Sequence, residues 1–173
     1  TSGNGAGIYD GFKFQSINVS NGLRNNVVQD VFEDNSGNLW FATSGGGVCV
    51  YNGISFKYFD KKNGFPDNSV WIIYQGKKNN FWFGTENAGL CFYDGKKFKT
   101  YSKKDGLCSQ NIREIFEDKQ GNLWLGSNSE GISVFNGKTF KNYNTKNGLT
   151  FNGVLGIDED NKGQIWLATY SGG

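Results

Sequence analysis

The chain has 173 residues, 26 of them Gly, with 16% aromatic residues, a single Pro and a net charge of +2. That composition excludes a helix bundle, and the regular spacing of its apolar blocks excludes a disordered chain. No apolar run approaches the roughly 18 to 20 residues of a helical membrane span, so no membrane contact by this segment is expected. Thr1 opens no signal-peptide pattern and the sequence holds no Met, so the segment reads as a processed chain or an excised piece.

In chain order, residues 6–17 contain two short β-prone stretches on either side of "YDG" at 9–11. Residues 21–62 contain four, at 27–33, 39–43, 47–51 and 55–59. The turn "NSGN" joins the first pair and "NG" at 52–53 the last, residue types that accept the positive φ of tight hairpins. The same four stretches recur over 63–104 and 105–146, and residues 154–169 supply the first two of a further copy. Trp40, Trp82, Trp124 and Trp166 stand 42 residues apart, inside "LWFAT", "FWFGT", "LWLGS" and "IWLAT". Four short strands in a repeat of about 40 residues are the signature of a propeller blade, whereas solenoid repeats run near 20 to 30 residues.

The predicted fold is therefore all-β: a β-propeller built from 42-residue four-stranded blades, with residues 1–173 as one domain or propeller fragment. Blades cover 21–62, 63–104 and 105–146, and a fourth is split between 1–20 and 152–173. The phase at Thr1 and Gly173 leaves outer strands at one end and inner strands at the other, which together would complete one blade and remove two exposed edges. Three closures stay open: a four-bladed monomer, a ring of two chains exchanging end strands, and an arc of a larger ring. Face-to-face packing is a second route to a homodimer.

A Trp at one place in every second strand predicts a wedge between neighbouring sheets, so Trp40, Trp82, Trp124 and Trp166 are expected as repeat core. The acidic pairs Glu33/Asp34, Glu117/Asp118 and Asp158/Asp160 recur in the first hairpin and read as turn chemistry. "DEDNKG" at 158–163 lacks the closing Glu of a twelve-residue calcium loop, so no metal is expected, and nothing calls for a cofactor. Cys49 and Cys91 share a column with Gly7 and Ser133 that asks for a small residue, and Cys108 stands alone in a loop. Equivalent positions on adjacent blades lie too far apart for the roughly 5.5 Å of a disulfide.

The stretches "GLRNNVVQDVFEDNSGNLWFATSGGGVCVYNGISFKYF" and "GLCSQNIREIFEDKQGNLWLGSNSEGISVFNGKTFKNY" resemble the two-component regulator propeller repeat. That family occurs in the extracytoplasmic sensor regions of bacterial hybrid histidine kinases. The resemblance implies a periplasmic or extracellular ligand-sensing module, often for carbohydrate breakdown products, with any kinase activity outside this chain. The copy over 63–104 departs from it, with "YQGKKNNFW" where "EDxxGNLW" is the pattern, and family members usually carry more repeats. Streptogramin-lyase-like propellers have similar repeats but use a His base, and this chain has no His. Sialidase-like propellers clamp a carboxylate with three Arg, and only Arg24 and Arg113 exist here. The expectation is a non-catalytic module.

Candidate ligand residues come from columns where the repeats disagree, because packing holds scaffold columns alike. The most divergent column is Gln29, Trp71, Arg113 and Leu155, just inside the first strand and so near the ring axis. The loops around it contribute Arg24, Glu86, Phe151 and Tyr170. The candidate site is therefore Arg24, Gln29, Trp71, Glu86, Arg113, Phe151 and Tyr170. Aromatic rings beside Arg, Glu and amide groups suit an oligosaccharide, which stacks an apolar face and hydrogen-bonds its hydroxyls. Lys61, Lys62, Lys103, Lys104 and Lys146 fall in one inter-blade loop and would favour an anionic glycan. No nucleic-acid motif accompanies them. The alternative function is a structural or protein-protein interaction propeller, and a propeller lyase or glycosidase ranks third.

Overall fold

In the computed structural model, which describes residues 3–170, sixteen strands and two single 3-10 turns (Lys61–Asn63 and Lys103–Asp105) make up the regular structure. Three four-stranded antiparallel meanders follow one another. The first is β3 (Val28–Glu33), β4 (Leu39–Thr43), β5 (Gly47–Tyr51) and β6 (Phe56–Phe59). The second is β7 (Val70–Gln75), β8 (Phe81–Thr85), β9 (Leu90–Tyr93) and β10 (Phe98–Tyr101). The third is β11 (Ile112–Glu117), β12 (Leu123–Ser127), β13 (Ile132–Phe135) and β14 (Phe140–Tyr143). They are flanked by the pairs β1 (Ala6–Tyr9) with β2 (Phe14–Ile17) and β15 (Val154–Glu159) with β16 (Ile165–Thr169). Thr1 and Gly173, on which the phase of the two ends was read, lie outside the described residues.

Local chemistry sets the turns. In the last hairpin of the first blade the Asn52 side chain accepts from the Ile54 and Ser55 amides at 3.0 and 2.8 Å, and Gly53 sits at φ +89°. In the first hairpin Asp34 accepts from the Ser36 and Asn38 amides, the Asn38 carboxamide and the Trp40 indole, all at 2.8–2.9 Å. Asp118 repeats the arrangement with Gln120, Asn122 and Trp124. The acidic column therefore holds turn and indole together. The neighbouring column stitches blades: Gln75 accepts from the Asn35 amide at 3.1 Å and Glu159 from the Lys119 amide at 2.7 Å.

Apolar residues fill the wedges between sheets. Trp40 is 5% exposed and stacks on Phe81 of the next blade at 4.1 Å. Trp82 packs into the next wedge beside Phe135, with centroids 6.1 Å apart, and Trp124 packs with Ile165 and Leu167. Blades approach closely enough that a Cβ on Gly84 would lie 2.5 Å from the Ile112 carbonyl oxygen.

Two expectations are corrected. Trp166 is 63% exposed and is not core, although its turn matches the others, because no described sheet lies beyond β16 to cover it. The two halves of the split blade are present but not joined: β1–β2 and β15–β16 are separate sheets. Phe14 at the first end is 80% exposed, so the halves do not cover one another. The described residues thus form three complete blades between two half-blades that are not joined.

Candidate functional site

The inner strands β3, β7, β11 and β15 lie against one another in succession. Each pairs with its second strand through a register shift at the same place, between Val28/Asp30, Val70/Ile72, Ile112/Glu114 and Val154/Gly156. The extra residue in each case is Gln29, Trp71, Arg113 or Leu155. A bulge leaves its residue out of the ladder and re-aims the side chain, so the divergent column is a row of bulged residues. Sequence reasoning placed the column but had no signal for the bulge, which exists only across a strand pair.

Two of these side chains meet. The Arg113 guanidinium lies 3.8 Å from the Trp71 ring centroid, across two blades, in cation–π geometry. The Trp71 Nε1 and Arg113 Nε groups are buried without an acceptor. Gln29 and Leu155 stand exposed on the flanking inner strands. One residue further along, Asp30 accepts from the Ile73 amide at 2.9 Å, joining the first blade to the second. Burial raises the Asp30 carboxyl above its ordinary range. Burial, and then the charge of Asp30, pushes Glu114 up to about 7.

The loops of this face are held by one recurring bond across the blade gap. The amides of Gly45 and Gly47 donate to the Asn68 carbonyl, Gly89 to Gln110 and Gly131 to Asn152, at 2.7–3.0 Å. Arg24 does not join Trp71: its guanidinium sits 4.2 Å over the Tyr58 ring, on the wall of its own blade. Glu86 is half-buried, its amide bound to the Ser69 carbonyl. Phe151 and Tyr170 close on Gly153, where a Cβ would lie 3.2 and 2.9 Å from their rings. The face thus brings together Trp71 with Arg113, sets Phe151 and Tyr170 each beside Gly153, and leaves Arg24 apart.

Asp67, not singled out from sequence as a site residue, is buried and anchors this face. It accepts from the Asn87 amide at 2.9 Å and pairs with Lys61 at 3.5 Å. Lys103 pairs with Glu130. Two of the five loop lysines are therefore neutralised by neighbours, which weakens the expected basic rim. Cys49, Cys91 and Cys108 are free, and burial pushes the Cys91 thiol up to about 12. The arrangement offers a ring, a cation and unpaired donors, a binding chemistry, and no cluster of metal-ligating side chains occurs among the described residues.

Residues 22–45, 64–87 and 106–129 match the two component regulator propeller family. None of the curated proteins matches the chain. The extracellular domain of a protein named as a hybrid two component system, from B. thetaiotaomicron, is similar at 28% identity and a TM-score of 0.81, over 94% of this chain and 23% of its own length. A second such domain from the same organism is similar at 21% identity and a TM-score of 0.70, over 85% of this chain and 22% of its own. Streptogramin B lyase shares the fold at 15% identity and a TM-score of 0.62, over 82% of this chain and 48% of that one. The chain spans under a quarter of the length of the two extracellular domains.

Proposed function

We propose that this chain, an arc of two-component regulator propeller repeats, is a non-catalytic binding module of an extracytoplasmic sensor, and that it takes a carbohydrate fragment on the face carrying Trp71 and Arg113. The observation that carries this reading is the stacked Trp71–Arg113 pair, whose two buried donors lack acceptors. Leaving such donors unpaired costs about 1–3 kcal/mol each. A ligand that opens the pair and offers hydroxyl oxygens removes that cost, while the ring supplies the stacking surface. Arg113 favours an acidic sugar over a neutral one. Occupancy would be passed on by a shift in conformational populations, with the kinase outside this chain. The absence of His and the turn role of the recurring Asp residues support a module without chemistry of its own.

The test is calorimetric titration of the chain with neutral and acidic oligosaccharides. Trp71→Ala and Arg113→Ala should each weaken whatever binding is found at least about tenfold, the equivalent of 1.4 kcal/mol. Binding that survives both substitutions unchanged removes this face from consideration.

A further inference from the structure

The turn between β7 and β8 lacks one group that its counterparts share. In the other three, an Asp carboxylate gathers the turn amides and the Trp indole: Asp34 with Trp40, Asp118 with Trp124, and Asp160 with the Lys162 and Gln164 amides and Trp166. Gly76 occupies this column in the second blade. The donors that would face the carboxylate remain, namely the amides of Lys78 and Asn80, the Asn80 carboxamide and the Trp82 indole. Among the described residues none of them has an acceptor. The gap is filled instead by Asn80 Oδ1, which would lie 2.3 Å from a Cβ on Gly76 and is buried with no donor. The Trp82 Nε1 lies 3.5 Å from the same point. This notch opens into a cleft of about 250 Å³ between the second and third blades, walled by Lys77, Trp82, Glu117 and Phe135.

We propose that the notch binds the carboxylate of a small organic acid, seated where the Asp side chain sits in the other blades. The turn keeps the backbone bonds of its counterparts, Gly76 amide to Asn80 carbonyl and Asn79 amide to Gly76 carbonyl, so that with the Asn80 side chain turned four donors would converge there as they do around Asp34 and Asp118. Asn80 needs only to adopt the arrangement of Asn38 and Asn122, which turn their Nδ2 toward the carboxylate at 2.8 Å. The rings of Trp82 and Phe135 take the body of the acid, and Lys77 and Lys78, which line the cleft, add favourable potential. Glu117, which accepts from the Tyr74 hydroxyl at 3.2 Å and pairs with Lys77 at 3.4 Å, stands on the cleft wall and selects monoanions over dianions. The notch is at the opposite end of β7 from Trp71, so it is separate from the face proposed for carbohydrate.

The experiment is an NMR titration of the ¹⁵N-labelled chain with acetate and with glucuronate, following the Trp82 indole N–H, with chloride at matched ionic strength and inorganic phosphate as controls. Both carboxylates should shift that resonance saturably, and neither control should. Gly76 is not at positive φ, so Gly76→Asp supplies the carboxylate covalently without backbone strain. This variant should show the shifted resonance without ligand, melt higher than the wild type and lose the titration. Trp71→Ala should titrate as the wild type does, which separates this site from the other face. The proposal is overturned if neither carboxylate moves the Trp82 indole, if phosphate or chloride saturates it equally, or if Gly76→Asp still titrates. Failure of Gly76→Asp to fold also overturns it, because the notch would then not accept a carboxylate.

Discussion

Replacing Asp34 by Ala tests how the repeat is held together. Its carboxylate is 8% exposed and takes four hydrogen bonds, one from the buried Trp40 indole. Hydrogen bonds to a charged group contribute about 1.5–3 kcal/mol each, and an orphaned buried donor costs about 1–3 kcal/mol. The bonds are not independent, and the turn amides reach water once the carboxylate is gone. The orphaned indole then dominates, with a net loss of about 3 kcal/mol. At about 2–4 °C per kcal/mol for a chain of this size, the melting temperature should fall by about 6–12 °C. Asp118→Ala should behave similarly. Asp160→Ala should show the smallest loss, because Trp166 is exposed and water replaces the lost acceptor. Thermal melts followed by circular dichroism measure all three. Equal losses at Asp34 and Asp160 would show that the motif and not its burial sets the cost.

The pH dependence of these turns has a definite sign. Burial pushes the Asp34 and Asp118 carboxyls up, but bonds from the Asn side chain, the indole and the turn amides together hold them below their ordinary value. Their stabilisation is present above about pH 4 and is lost as pH falls through the folded value; melts in a descending acid series should show it, and a flat profile would exclude it. Glu114 works oppositely. With its folded value near 7 against an ordinary 4.5, the folded state holds the extra proton, and stability falls as pH rises through that window. The displacement corresponds to about 3 kcal/mol, which solvent around a half-buried carboxylate reduces to about 1 kcal/mol; Glu114→Gln should remove most of the slope between pH 4.5 and about 7, the two values that bound it, leaving the part due to the raised Asp30 carboxyl. Phe83, buried and edge-on to Phe65 at 5.3 Å, should cost about 3–5 kcal/mol on truncation to Ala. Gly84→Ala should cost about 1–3 kcal/mol by overpacking against the Ile112 carbonyl, in a column where the first blade already carries Ala42.

The architecture was legible because a repeat reports the same structure several times. Strands expected at 39–43 and 47–51 are observed at those residues, since apolar blocks end where Asn, Asp and Gly supply turn geometry. The likeness to the two component regulator propeller model, which matches 22–45, 64–87 and 106–129, was also readable in the repeat. The candidate face was only partly legible. Variation among copies singled out Trp71 and Arg113, but their stacking depends on two bulges, each of which turns one residue out of its ladder on adjacent inner strands. Arg24 belongs to an equally variable loop and rests on Tyr58 instead. Gly76 shows the converse: the departure "YQGKKNNFW" was visible as a departure, and only the structure exposes the donors it leaves without a carboxylate.

The sequence alone determined the period, the strand content of each blade and the turn chemistry, because these depend on neighbours a few residues apart. Tertiary structure decided everything that needs a second sheet. Trp40 and Trp166 sit in near-identical blocks, yet one is buried and the other open to solvent, because burial of a wedge is a property of the two sheets that flank it.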